Sequence, residues 1–402
     1  MNQQDQPTLG VGMVGYAFMG AAHSVAWRTA GRTFDLPLRP EMTALCGRSA
    51  DKVGAAAAQL GWESTETDWK QLLQRDDVSL VDICTPGDSH AEIAVAALEA
   101  GKHVLCEKPL ANTVAEAEEM VAAAERAASD GIRSMVGFTY RRVPAIVLAR
   151  RLVAEGRLGE IRHVRAQYLQ DWIVDPEFPL VWRLQKEHAG SGALGDIGAH
   201  IIDLTQYITG QRISSVTAML ETFVTERPLP GSSSGLSASS GDGSGDGTAA
   251  APERGAVTVD DAALWLARLD GGALGSFEAT RFATGRKNAI RIEINASAGS
   301  LAFDFESMNE LSYFDGSDEA DTAGFRRILV TEPTHPYLEA WWPPGHLLGY
   351  EHAFTHQAVD LVRAIAAGED PAPSFRDGLQ VQRVLEALET SARESTWKDI
   401  EA

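Results

Sequence analysis

The chain has 402 residues, 44% of them hydrophobic and 23% charged, the balance of an ordinary globular protein, and its length favours two domains over one. With 35 Lys and Arg against 56 Asp and Glu, the formal net charge is −21, so the surface repels nucleic acid and anionic lipid, and both are excluded as partners. The first residues lack the basic flank and apolar stretch of a secretory signal, and no later run is apolar enough to span a bilayer, so a cytoplasmic location is expected.

Residues 9–14 read as a short apolar strand, followed by a glycine-containing turn and a helix over 21–29. Strand patterns recur at 42–46, 80–84 and 103–106, and alanine-rich helical stretches at 50–60, 91–100 and 114–128 lie between and after them. Such alternation implies a parallel sheet with helices on both faces. Cys46, Cys84 and Cys106 form no CxxC pair and lie in or beside these apolar runs, so buried reduced thiols are expected, with neither a disulfide nor a metal site. The character changes near 134–142. Strands with alternating polarity follow at 161–169, 217–225, 263–269, 276–281 and 291–296, pointing to a large, mostly antiparallel sheet. Residues 231–251 are dominated by Gly, Ser, Asp and Ala and are expected to be a mobile insertion, because they cannot bury enough apolar surface to order themselves. Helical spacing returns at 351–367, is broken by Gly368 and the prolines after it, and resumes at 378–392.

The first chemical motif is Gly15-Tyr16-Ala17-Phe18-Met19-Gly20, a dinucleotide fingerprint with Ala17 in place of its second glycine. Its logic is that the Gly15 turn exposes N–H groups at a helix N-terminus, where partial positive charge holds a pyrophosphate, while Gly20 permits close helix packing. A glycine turn without a ligand is the bland alternative. At the end of the second strand, where a ribose-gripping acid is expected, stand Gly47-Arg48-Ser49. Arg48 can pair with a 2′-phosphate or stack on adenine, with Ser49 donating beside it, which permits NADP; equally, Arg48 can be a solvated surface residue. Asp196 and His200 are four residues apart, so on a helix they share one face and can reach one substrate hydroxyl. A helix cap and a core histidine are the alternatives there. Tyr140, Gln170 and Trp172 combine polar groups with aromatic planes, which suits a pyranose; packing or oligomer contacts would use the same residue types.

Thr85-Pro86-Gly87-Asp88-Ser89-His90, then Ala100 through Ala111 with its Glu107-Lys108-Pro109 triplet, and Asp196-Ile197-Gly198-Ala199-His200 together resemble the Gfo/Idh/MocA oxidoreductases. The resemblance extends along nearly the whole chain, to Ser374-Phe375-Arg376-Asp377-Gly378. It implies an N-terminal Rossmann domain over 1–136 and a C-terminal α/β domain with a large open sheet over 137–402. It also implies a site in which Lys108, after a cis Lys108–Pro109 bond, reaches the reacting hydroxyl. His200 is then the base, Asp196 positions it or the substrate, and Thr85, Pro86, His90 and Glu107 join the cofactor wall. NAD is the cofactor the resemblance favours, a homodimer or homotetramer the expected assembly, and a ring hydroxyl of a sugar, anhydrosugar or glycoside the expected target, with C3 as the candidate carbon. Two other readings use the same scaffold: an NAD-dependent glycosidase acting by transient ring oxidation, elimination, hydration and re-reduction, and a sugar- and nucleotide-binding regulator without catalysis. Two departures are the Gly47-Arg48 pair, which opens cofactor choice, and Gly198-Ala199 before the histidine, which bears on substrate fit.

Overall fold

The computed structural model describes residues 6–230 and 253–401. The stretch 231–251, expected to be a mobile insertion, lies outside the described residues.

Six parallel strands form the N-terminal sheet: β1 (Thr8–Val14), β2 (Arg39–Cys46), β3 (Ser64–Glu66), β4 (Leu80–Ile83), β5 (His103–Cys106) and β6 (Ser134–Val136), in the order β3-β2-β1-β4-β5-β6. Helices α1 (Phe18–Thr33), α2 (Ala50–Leu60), α3 (Trp69–Leu73), α4 (His90–Glu99) and α5 (Val114–Ala128) connect them. Every residue of β4 is buried, which is why this strand reads as an unbroken apolar run around one acid, Asp82. The order reverses between β1 and β4, and a doubly wound sheet binds its ligand beyond the strand C-termini at that point. α1 begins at Phe18, earlier than the helix expected over 21–29. The turn is confined to Gly15–Ala17, Gly15 takes a φ of +99°, and Gly20 lies inside the helix. A Cβ on Gly20 would fall 2.3 Å from the Gly15 carbonyl oxygen, so this glycine serves close packing and not the bend.

The C-terminal half runs α6 (Pro144–Ala154), β7 (Ile161–Leu169), α7 (Lys186–Ala189), α8 (Ala199–Thr209), β8 (Ile213–Glu221), the hairpin β9 (Glu226–Pro228) and β10 (Arg254–Ala256), then β11 (Ala262–Leu269), β12 (Leu274–Thr280), β13 (Ala289–Ala296), β14 (Gly299–Asp304), β15 (Glu310–Asp315) and β16 (Arg326–Leu329). It closes with α9 (Tyr350–Ala367), α10 (Phe375–Glu394) and β17 (Lys398–Asp399). Nine strands form one sheet in the order β16-β15-β14-β13-β7-β12-β11-β8-β17, antiparallel except for the parallel β7–β12 pair. β8 begins and ends earlier than the strand expected over 217–225. Asp261 explains the end: its carboxylate accepts the N–H groups of Phe223 (2.8 Å) and Val224 (3.1 Å) and turns the chain out of the sheet.

Along β11, Trp265, Ala267 and Leu269 are buried while Leu264 and Leu266 are exposed, the period-two alternation of a sheet covered on one side. α8 and α10 pack on the covered face. On the other, Leu264 stands opposite Met219, and Arg268 opposite Leu274. α9 packs instead on α1: Phe354, Ala358, Val359 and Val362 share a core with Leu9, Val11, Trp27 and Ala30. Cys46, Cys84 and Cys106 are free and buried, as expected. Among the described residues no helix is long and apolar enough to cross a membrane.

The packing at Gly20 gives a first prediction. Gly20→Ala should force α1 away from the Gly15 turn and cost about 1–3 kcal/mol of stability, read as a lower midpoint in urea unfolding with an unchanged slope.

Candidate active site

One cleft of about 1090 Å³ opens between the two sheets, lined from the N-terminal side by Ala17, Phe18, Met19, Thr85, Pro86, His90, Glu107 and Lys108, and from the C-terminal side by Tyr140, Gln170, Trp172, Arg183, Asp196 and His200. That lies at the upper end of the roughly 300–1,000 Å³ range of small-ligand pockets, the size an extended ligand needs.

The N-terminal wall fits a dinucleotide. Ala17 is the N-cap of α1, no side chain caps that end, and no acid stands in its first turn, so the leading N–H groups are left for an outside acceptor. A Cβ on Gly15 would lie 2.8 Å from the Cys84 carbonyl oxygen, so the turn keeps the crevice floor flat. His90 bridges two loops, contacting the carbonyl oxygens of Pro109 (2.9 Å) and Thr85 (3.0 Å). Arg48 is exposed and Ser49 half-buried, and neither belongs to the cleft wall. The Tyr16 ring lies against Gly47, where a Cβ would come within 2.0 Å of it, so no side chain fits at position 47 while the ring is there.

Lys108 follows β5, and its peptide bond to Pro109 is cis. Its Nζ donates to the Asp196 carbonyl oxygen at 2.8 Å and lies 3.5 Å from Asp196 Oδ1. Arg281 approaches the other carboxylate oxygen at 3.7 Å. Burial alone raises the Asp196 pKa, but Lys108, Arg183, Arg281 and His200 overcome it and bring it down to about 2. His200, in the first turn of α8, lines the cleft and has no hydrogen-bond partner among the described residues. Burial, reinforced by the Lys108 charge and opposed by Asp196, holds its pKa well below 6.5. The imidazole is therefore neutral at neutral pH, with a lone pair available to accept a proton.

The four-residue spacing predicts an α-helical face shared by Asp196 and His200, yet Leu194–Gly198 winds as a π-helical turn that leads into α8. Asp196 sits inside that turn, not at a cap. The cause lies far along the chain: buried Asp260 accepts the N–H groups of Gly192 (2.7 Å) and Leu194 (2.8 Å), and a Cβ on Gly192 would meet the Asp260 carbonyl oxygen at 1.8 Å. Arg281 in turn donates to that carbonyl at 3.0 Å. Wide turns of this kind cluster at functional sites because they re-aim one side chain without ending the helix.

Tyr140, Gln170 and Trp172 belong to one hydrogen-bonded wall. Trp172 donates to Gln170 (3.0 Å), Gln170 donates to Asn288 (2.8 Å), Tyr168 donates to the same Asn288 oxygen (2.6 Å), and the Tyr168 and Tyr140 hydroxyls meet at 2.9 Å. The Tyr140 ring stands edge-on to His200 at 4.6 Å. Asn288, Asp260, Arg183 and Arg281 were not foreseen as site residues. Arg183 and Arg281 lie in tracts with a motif-like look; Asn288 carries no local signal at all, since only the pairing of β13 with β7 brings it to the wall.

Asp260→Ala should strand the two N–H groups and destabilise the protein by about 2–4 kcal/mol. Turnover should fall while dinucleotide affinity persists, which calorimetric titration beside a steady-state assay would separate.

Residues 9–136 match a family model described as oxidoreductase family, NAD-binding Rossmann fold, and residues 146–302 match the GFO/IDH/MocA C-terminal domain. The chain is 43% identical over 394 residues to levoglucosan dehydrogenase from Pseudarthrobacter phenanthrenivorans, covering 98% of each chain. It superposes on the crystal structure of an oxidoreductase domain protein from Kribbella flavida with a TM-score of 0.92 and 69% identity, covering 99% of this chain and 100% of that one. Levoglucosan dehydrogenase in complex with NADH and levoglucosan superposes with a TM-score of 0.90 at 41% identity, covering 98% and 100%. Both domain models in order, joined to identity along nearly the whole length, place this chain in the Gfo/Idh/MocA oxidoreductase family.

Proposed function

We propose that this chain is an NAD-dependent oxidoreductase that oxidises a ring hydroxyl of a sugar or anhydrosugar, with levoglucosan as the first candidate and C3 as the reacting carbon. The observation that carries the reading is the meeting across the cleft of the Lys108 ammonium and the Asp196 carboxylate, beside a His200 imidazole that has no hydrogen-bond partner among the described residues. The similarity to levoglucosan dehydrogenase in complex with NADH and levoglucosan supports the substrate class and the cofactor.

Gly15, Ala17, Phe18, Met19 and Gly20 would hold the pyrophosphate at the α1 N-terminus, Arg48 and Ser49, outside the cleft wall after β2, would face the adenosine end, and Thr85, Pro86, His90 and Glu107 would border the nicotinamide half. When bound there, NAD supplies the hydride acceptor. His200 accepts the hydroxyl proton as the C–H bond on the same carbon breaks, leaving a ketone. Lys108 stabilises the negative charge that develops on that oxygen. Asp196 stays ionised, anchors Lys108 and accepts from a neighbouring hydroxyl. Tyr140 and Trp172 present ring faces and edges to the sugar C–H bonds, and Gln170 presents its amide to a hydroxyl. Residues 1–136 form the cofactor unit and 137–402 the substrate unit of a cytoplasmic homodimer or homotetramer. The open face carrying Met219, Leu264, Leu266 and Leu274 supports that assembly, because such a patch calls for a cover.

The direct test is reduced-nicotinamide absorbance with NAD across free sugars, anhydrosugars and aryl glycosides. Growth of reduced cofactor with an anhydrosugar is expected; aglycone release with flat absorbance would assign the site to redox-assisted hydrolysis instead. Lys108→Met should lower turnover at least about 100-fold while NADH still binds, and near-native turnover would remove Lys108 from the chemistry. A base whose pKa is depressed stays neutral as the pH falls. The acid limb of kcat/KM should therefore lie below 6.5, and a limb at or above that value contradicts His200 as the base.

A further inference from the structure

Behind the cleft, reaching its wall only at Glu107, a buried charged chain links the dinucleotide-binding helix to the loop of Lys108. His23, on the inner face of α1 and 2% exposed, directs Nδ1 at Asp82 Oδ2 on β4 (2.9 Å) and Nε2 at Glu107 Oε1 just past β5 (2.9 Å). Both ring nitrogens face carboxylate oxygens. Each contact needs one proton, on the ring nitrogen or on the facing carboxyl; with both on the ring, the group is an imidazolium between two carboxylates. Burial opposes that charge, but Asp82 and Cys84 together outweigh it, and the His23 pKa is raised well above 6.5. Trp27 Nε1 donates to Asp82 at 2.7 Å and fixes that end. At the other end, Glu107 Oε2 accepts the backbone N–H of Lys108 at 3.1 Å. Gly137 makes room for this carboxylate, since a Cβ there would stand 2.9 Å from Glu107 Oε1.

The sulfur of Cys84 joins His23 and Asp82 in a group whose ligand atoms lie within 4.8 Å of one another. Both His23 nitrogens are already engaged by carboxylates, however, and burial pushes the Cys84 thiol pKa up, so a hydrogen-bond chain describes the cluster better than a metal site does. Stability alone is a poor reason for it: replacing a buried ion triad by apolar residues of similar volume is often neutral or stabilising. What the chain does specify is direction. It joins three elements, α1, β4 and the end of β5, at the peptide whose side chain reaches Asp196.

We infer that the Asp82–His23–Glu107 chain is a positioning device that ties the dinucleotide-binding helix to the Lys108 backbone and so holds the Lys108 ammonium at Asp196. The inference rests on the role given to Lys108 under the proposed function, and it makes His23 and Asp82 positioning residues for the reaction. A displacement of about 1 Å at a reacting group can cost on the order of 100-fold in rate.

Three variants test this: His23→Gln, which leaves the cleft wall untouched, Glu107→Ala, which deletes the link, and Glu107→Gln, which keeps an acceptor for the Lys108 N–H and an amide donor for a neutral His23. For each, kcat, sugar KM, NADH affinity by fluorescence titration and a crystal structure of the NADH complex are needed. The expected result is a fall in kcat on the order of 10–100-fold for His23→Gln and Glu107→Ala, with sugar KM and NADH affinity unchanged in His23→Gln, the variant that lies outside the cleft wall. The Lys108 Nζ contact to Asp196 should be lost in both crystals, and Glu107→Gln should recover most of the rate. If Lys108 stays at Asp196 in the crystals, or if only thermal stability or NADH affinity falls, the chain is structural and the inference is overturned. If Glu107→Ala does not fold, His23→Gln decides alone. The crystallographic readout needs no turnover, so a wild-type protein that oxidises no sugar would sink the proposed function and still leave the positioning question answerable.

Discussion

The contact between the Lys108 ammonium and Asp196 is the constraint on which the site depends. It joins a loop at the end of the parallel sheet to a turn beneath the antiparallel one, two points 88 residues apart in sequence. Neither end is free to drift. Glu107 anchors the Lys108 peptide, and Asp260 pins the turn that carries Asp196. The cleft walls are therefore registered against each other by charge and hydrogen bonding. The apolar cores of the two sheets supply the bulk of the stability but cannot aim a single ammonium group.

The same contact sets the protonation states. Three cations around one half-buried carboxylate keep Asp196 ionised, with its pKa at about 2, and burial together with the Lys108 charge keeps His200 neutral. One acid fixed in its charged form beside one base fixed in its neutral form is the arrangement that proton removal at neutral pH requires. The aromatic and amide wall from Tyr140 to Trp172 then holds a ring substrate against this pair. The Asn288 amide ties that wall together, much as Asp260 ties the turn.

What was legible in the sequence follows from how local each signal is. β1, β4 and β5 show as short apolar runs because both faces of a parallel sheet are covered, and α2 and α5 show within their observed limits because their apolar spacing is helical throughout. β3, β6 and β17 are too short to carry a pattern. α1 starts before residue 21 because Gly20 sits inside the helix, packed on the Gly15 carbonyl, and β8 shifts because Asp261, distant in sequence, decides where the strand stops. The cleft residues Lys108, Asp196, His200, Tyr140, Gln170 and Trp172 were named from motif and chemistry, and the fold brings them together. The π-helical turn, Asn288, Asp260 and the His23 chain were not legible, because each depends on partners supplied by other elements.

The measurement that bears most directly on this account is the fate of one hydrogen. Levoglucosan carrying deuterium at C3 is incubated with NAD and the protein, and the reduced cofactor is analysed by mass spectrometry. The account predicts one deuterium in the reduced nicotinamide and a slower turnover than with the unlabelled sugar. Reduced cofactor without label would move the chemistry to another carbon, and no reduced cofactor from this or any other ring alcohol would contradict the assignment of the cleft to hydroxyl oxidation.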